Sequence, residues 1–324
     1  MILKVDGQEY CVDLPSVSTR LANAKDAARR AYSISGSGYG IHWPDIDEDL
    51  TIAGLISSAR PVPAKTSDTP LLLKEQTPEF LEKVVRKARL EALELEVNEE
   101  LRQMAASEQS GNLHNLWPIT DGVIDIDRFL NSTPQILWIL KEPWEGEGGF
   151  GDWSLTQKLI PELIDEGNMG GNPTYRRMAY ITYSVFNKYP SWPDIPSIRD
   201  RKVSESLKSI AYINISKFPG RARSIPATIE SAYQRNQHIL KKQIETINPD
   251  IVITGNIIRL FFEYFGLRSN ERKSAGSVDY WSKDGRLYID AYHPAYWRIH
   301  DKKYVEDIVG VIRNSPQGSK PSQL

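Results

Sequence analysis

From about residue 115 onward, four short apolar runs alternate with helical patterns: QILWIL (135 to 140), IAYINI (210 to 215), DIVITG (250 to 255) and RLYIDAY (286 to 292). This order constrains the fold more than any other feature of the chain. Each run is strand-length and rich in β-branched or aromatic residues. Between the runs lie SLTQKLIPELIDEG, TYRRMAYITYSVFNKY, IPATIESAYQRNQHILKKQIETI and IIRLFFEYFG, whose apolar residues recur at helical spacing. Strands separated by helices need crossovers, which are right-handed and cover both faces of the sheet. The expectation is an α/β domain over 115–315, three-layer α/β/α with a mostly parallel central sheet. Ligands of such sheets bind beyond the carboxyl ends of the strands. The segments to read are therefore Glu142 to Trp153, Asn214 to Arg223, Gly255-Asn256 and His293 to Trp297.

The preceding chain has a different grain. Residues 1–57 predict a small α+β domain, with a hairpin around Asp6-Gly7, a helix over PSVSTRLANAKDAARRAY, a short strand GIHW and a closing helix over DEDLTIAGLI. SSARPVPAKTSDTP reads as a linker. A long helix then starts with Thr77 as N-cap and Pro78 at the first helical position and runs to about Ala106. Its apolar positions Phe80, Leu81, Val84, Val85, Ala88, Ala92, Leu95 and Leu101 suit a connector docked on one domain better than a coiled coil, because the heptad is imperfect. Residues 58–114 are thus linker and long helix, and 316–324 are expected to be a flexible tail.

Composition excludes several chemistries. One cysteine, Cys11, rules out a disulfide framework, a cluster held by several cysteines and a cysteine-rich zinc site. The five histidines form no HxE or HExxH spacing, so neither a metal nor another cofactor is expected. No apolar run reaches the roughly 18 residues of a membrane span, and MILKVDGQEY lacks a signal-peptide pattern, so a cytoplasmic protein with no membrane partner is expected. The net charge of −2 hides an asymmetry: 13 Lys/Arg against 18 Asp/Glu in residues 1–114, and 27 against 24 in 115–324. A basic face on the second part can meet phosphates while its average charge stays near zero.

LKEPWEGEGGFGDW (140–153) contains GxGxxG between Gly146 and Gly151. A dinucleotide fingerprint puts its first glycine at the strand end, whereas here Lys141 to Glu145 intervene. No acidic residue ends a second strand about 20 residues on, so the glycines read better as backbone that passes close to a ligand.

Side by side, the strand ends offer a carboxylate with proline and an aromatic, an asparagine, a glycine, and a histidine-proline. In this order they resemble the uracil-DNA glycosylase superfamily over roughly 115–315. LKEPWEG corresponds to its water-activating loop GQDPYHG, with Glu142 at the acid, Pro143 at the proline and Trp144 at the aromatic wall. YIN ends the second strand and puts Asn214 at the base-reading amide, and HPAYW puts His293 and Pro294 at the family's HPSP motif. Trp153-Ser154 fits the stacking aromatic before a serine, with Phe150 as the alternative. The chain departs in three places: glutamate for aspartate, tryptophan for tyrosine, and AYW for SP. These bear on which base is accepted rather than on glycosidic chemistry.

The resemblance implies roles that suit the residue types. Breaking the bond between base and deoxyribose develops positive charge on the sugar and negative charge on the base. Glu142 would hold a water and stabilise the sugar, and His293 would hydrogen-bond the base oxygen where charge collects. Asn214 would read the base edge, and Trp144, Phe150 and Trp153 would stack on it. Tyr296 and Trp297 sit where the family inserts a wedge into the duplex. Lys217, Arg221, Arg223 and Arg298 are the expected phosphate contacts. Singly, each has an ordinary alternative: a turn for Glu142-Pro143, a structural histidine, core tryptophans, a strand-end cap for Asn214, and a solvated basic loop.

The N-terminal IHWPDIDEDLTIAGLI resembles a small uncharacterised bacterial domain with an hW-x-x-(I/L)-DeDL signature. It presents no catalytic constellation; His42 reads as structural, DIDED as a helix start, and docking of a protein partner, a dimer contact or the positioning of DNA as its role. Three functions stand open for the chain. One is a DNA glycosylase of bacterial repair or antiviral defence, acting on uracil or a modified base; the others are a non-catalytic reader of such DNA and a hydrolase of free nucleosides or nucleotides.

Overall fold

The computed structural model describes residues 2–5, 8–34, 40–57, 60–61, 78–107, 116–146 and 149–318. Internal contacts divide the chain into two units, Met1–Thr77 and Pro78–Leu324.

In the first unit, Ile2–Val5 and Gln8–Cys11 pair as the expected hairpin, and Arg60–Pro61 joins Gln8–Cys11. A second sheet pairs Ser33–Ile34, Gly40–Trp43 and Glu48–Thr51, all antiparallel. The single helix expected after residue 14 is instead three short ones, Leu14–Val17, Thr19–Asn23 and Asp26–Arg30. Ser18 is the reason for the first break. Its backbone is extended and its side chain accepts from the N–H groups of Arg20 and Leu21, starting a new helix. DIDED is likewise a short helical turn followed by a strand, with the closing helix confined to Ile52–Ser57. Val12, Leu14, Leu21, Ile41, Trp43 and Leu55 form a separate small core, and Trp43 Nε1 donates to Arg29 O at 3.0 Å. His42 pairs with Asp49 across the strands at 2.9 Å, a structural contact as expected.

The second unit is built on a seven-stranded sheet: β1 (Gly122–Val123), β2 (Ile136–Leu140), β3 (Ala211–Asn214), β4 (Ile251–Gly255), β5 (Lys273–Ala275), β6 (Val278–Lys283) and β7 (Arg286–Ala291). Its spatial order is β5-β6-β7-β4-β2-β3-β1. The four expected strands, β7, β4, β2 and β3, are adjacent and mutually parallel. β1, β6 and β5 add antiparallel pairings at the two sides, so the sheet is mixed rather than mostly parallel. The β6–β7 hairpin turns at Asp284-Gly285, both with positive φ, a turn that an Asp-Gly pair favours.

Strand residues alternate between two apolar clusters. Ile136, Trp138 and Leu140 pack with Met178 and Ile181 of helix α2 (Pro173–Phe186) and with Tyr304 and Ile308 of α4 (Asp301–Arg313). Leu137 and Ile139 pack with Ile229, Tyr233 and Leu240 of α3 (Pro226–Ile247). Such period-two burial on both faces is why these strands read as unbroken apolar runs.

The long helix α1 (Pro78–Ser107) belongs to this unit rather than standing between the two. Its buried stripe is Leu90, Leu93, Val97, Leu101 and Ala105, against Phe218, Ile239 and the β2 side of the sheet. Of the apolar positions expected to dock, Leu101 is buried, Val84, Val85, Ala88, Ala92 and Leu95 are exposed, and the side chains of Phe80 and Leu81 fall outside the described residues, as does Thr77. Among the described residues, no helix is long and apolar enough to cross a membrane.

Candidate active site at four strand ends

Asn214 of β3 pairs in register with Leu140 of β2, and Gly255 of β4 with Ala291 of β7, so the four parallel strands finish together. The residues that follow them share one edge of the sheet. Beyond β2 the pairing with the β3 segment continues: Ile215 N donates to Leu140 O at 2.9 Å, Ser216 N to Lys141 O at 2.8 Å, and Gly220 N to Pro143 O at 2.8 Å. The SKFPG loop is thereby laid over Lys141 to Pro143. A Cβ on Gly220 would displace the Glu142 carboxylate, so the glycine leaves that side chain its position. At Gly255 a Cβ would crowd Leu140 Cδ2 at 2.7 Å and lie at ordinary contact distance, 3.6 Å, from His293 Cδ2.

Glu142 is half-buried, and its Oε1 is buried with no hydrogen-bond partner among the described residues. Asn214 is wholly buried, its Oδ1 accepts from Tyr212 Oη at 3.2 Å, and its Nδ2 has no partner. Unsatisfied buried polar atoms are costly, so a free acceptor and a free donor on neighbouring strand ends need an explanation. Beneath them Asp121 accepts from Asn214 N at 2.8 Å, Lys217 Nζ at 2.6 Å and Gln243 Nε2 at 3.0 Å. This network fixes the end of β3.

His293 Nδ1 accepts the backbone N–H of Ala295 at 3.1 Å. A backbone amide cannot accept, so Nδ1 carries no proton and Nε2 does. Burial, helped by the nearby Lys141 ammonium, lowers the His293 pKa to about 4. The ring is a neutral Nε2–H donor at pH 7. Its loop is tied down by Arg177, which donates to Pro294 O at 2.7 Å, to Tyr296 O at 2.9 Å and to Ile299 O, and pairs with Asp301 at 2.7 Å. Arg177 is itself buried, so its role there is structural.

The structure separates the remaining expected site residues. Trp153 is half-buried and packs on the sheet side that faces α2, whereas Trp144 and Phe150 project with 59% and 65% of their surface exposed. Tyr296 stacks on Tyr292, ring centroids 4.6 Å apart, so only Trp297, 79% exposed beside Arg298, projects freely from that loop. Arg221 and Arg223 are exposed and, among the described residues, make no ion pair. Lys217 is a correction. It is wholly buried and bonded to Asp121 and to Gln243 at 2.7 Å, so it reaches no phosphate, and burial lowers its pKa.

Glu145 reaches across to the far end of the glycine segment. Glu145 Oε2 accepts from Gly151 N at 2.7 Å, and a Cβ on Gly149 would lie 2.7 Å from Glu145 Cγ; residues 147 and 148 fall outside the described residues. A carboxylate on that amide opposes a phosphate there. Sequence reading also missed Lys141, Asp121, Tyr212 and Gly220; only FPGR, a loop glycine two residues after a buried phenylalanine, carried a visible signal.

Among known families, a model described as protein of unknown function (DUF2442) matches residues 1–61. It agrees with the resemblance of the N-terminal segment and covers most of the first unit. No curated protein matches the chain.

Proposed function

We propose that the second unit is a three-layer α/β/α domain of the uracil-DNA glycosylase kind. It hydrolyses the N-glycosidic bond of a flipped-out uracil-like or modified base in DNA and leaves an abasic site. The observation that carries this reading is that Glu142, Asn214 and His293 follow the ends of three strands of the parallel set, β2, β3 and β7, at one edge of the sheet, each with an available polar atom of the kind the reaction needs. The order of the parallel strands, with the first at the centre and the second on its outer side, supports the same architecture.

In this mechanism Glu142 Oε1 orients the attacking water and offsets the positive charge on the sugar, a role worth roughly 10²- to 10⁴-fold. Asn214 Nδ2 donates to an acceptor on the pairing edge of the base. His293 Nε2–H donates to the oxygen that gains charge as the base leaves; a neutral donor does so without a proton transfer. Trp144 and Phe150, exposed at the rim, supply faces for stacking, and Trp297 enters the gap in the duplex. Arg221, Arg223 and Arg298 meet the backbone. The cellular setting that fits is DNA repair or defence against phages with modified bases, in the cytoplasm.

The test is base release from DNAs containing uracil, hypoxanthine, or modified cytosines and thymines, with free nucleosides alongside, for wild type and Glu142→Gln. Release from one DNA, with most of the rate lost in the variant, is the expected result. Tight binding of one DNA by both proteins without release would make the domain a reader, and release from nucleosides alone would make it a nucleoside hydrolase.

A further inference from the structure

Lys141 stands between the end of β2 and Glu142, and its backbone carbonyl is held by Ser216 N at 2.8 Å. Its side chain is half-buried and, among the described residues, makes neither a hydrogen bond nor an ion pair. The buried Lys217, by contrast, is locked by Asp121 and Gln243. Lys141 is adjacent in chain to the carboxylate that faces Gly220, and Leu140 touches the Gly255 position that also borders His293. Lys141 thus follows its strand at the same edge of the sheet as Glu142 and His293, and its amine is near enough to Asp290, Glu142 and His293 to act on each electrostatically.

We propose that Lys141 is an imine-forming nucleophile that gives the protein an abasic-site lyase activity in addition to base release. The inference rests on the DNA reading above. Base loss leaves a sugar whose C1′ opens to an aldehyde. The neutral Nζ adds to C1′, forming the C–N bond as the C=O π bond breaks, and a proton passes from the nitrogen to the oxygen to give the carbinolamine; a proton from solvent then lets the hydroxyl leave as water, which gives a protonated imine. Glu142 then accepts a proton from C2′, the electron pair moves toward C3′, and the C3′–O bond breaks with the 3′ phosphate leaving. Water hydrolyses the imine and returns the amine. Burial lowers the pKa of Lys141, which favours the uncharged amine that the first step needs.

The experiment uses the full chain and a labelled oligonucleotide carrying a preformed aldehydic abasic site, with sodium borohydride to reduce the imine to a stable secondary amine. A tetrahydrofuran site, which has no aldehyde, is the control. The expected result is a covalent protein–DNA adduct on the aldehydic site only, mapped by mass spectrometry to the Lys141 peptide and lost in Lys141→Arg and Lys141→Gln. Absence of an adduct, or an adduct mapped to another lysine and undiminished in both variants, overturns the proposal. Peptide mapping on the wild type decides the matter even where a variant does not fold. The preformed site needs no base release, so failure here leaves the glycosylase reading to be judged by its own substrate panel.

Discussion

His293 titrates in a direction that can be measured. An unfolded histidine has a pKa of about 6.5, whereas in the fold it is lowered to about 4 by burial and by Lys141. Between those values the unfolded chain binds the proton first, so the neutral ring's contribution is intact above about 6.5 and lost as pH falls toward 4. Urea unfolding of wild type and His293→Gln should therefore diverge across that window, with wild type losing more stability; parallel curves would sink the assignment. Lys217 and its arginine neighbours give a contrast of another kind. Lys217→Met strands the Asp121 carboxylate in the interior and should cost about 3–5 kcal/mol. Arg221→Gln and Arg223→Gln should leave unfolding within about 0.5 kcal/mol of wild type, while flattening the slope of log K for DNA against log salt by about 0.9 per charge. Unfolding curves and salt-dependent binding check both halves. In sequence these three cations form one basic loop. Only the fold brings Asp121, 96 residues earlier, against Lys217, and no local pattern encodes such a partner.

Among elements, the loop after β7 depends on a helix far from it in sequence. Arg177 of α2 satisfies three carbonyls between Pro294 and Ile299 and shares Asp301 with Arg176, which pairs with it at 2.8 Å. Arg177→Met should destabilise the domain by about 3 kcal/mol or more, because buried acceptors lose their donors. It should also loosen the His293 loop, read as faster amide exchange at Ala295 and Tyr296; unchanged exchange would separate the loop from α2. The four parallel strands and helices α2 and α3 were legible because double-sided burial writes itself as apolar runs between long amphipathic stretches. The β6–β7 hairpin was legible too, in SKDGRLY, but the run RLYIDAY was read without the turn before it. The docked stripe of α1 was not, since Val84, Val85 and Leu95 are as apolar as Leu93 and Val97, and only the shape of the partner surface chooses between the faces.

For the whole molecule, two separate cores and a division at Thr77 predict that residues 78–324 fold without the first unit. A chain cut there should unfold in one cooperative transition near that of the parent and retain whatever DNA activity the parent has; a fragment without a transition would show that the first unit is structurally required. The strand order has a further consequence, for the time course of folding. β2 occupies the middle of the parallel set, yet its neighbours are made much later: Ala211, which pairs with Leu137, lies 74 residues on, and Ile251, which pairs with Ile136, lies 115 on. Long loops must close before this strand gains a hydrogen bond on either side, which raises contact order and slows the search for the native topology. During synthesis this wholly apolar strand therefore emerges before the other three parallel strands and waits for cover on both sides, and in that interval it is the segment a chaperone would hold.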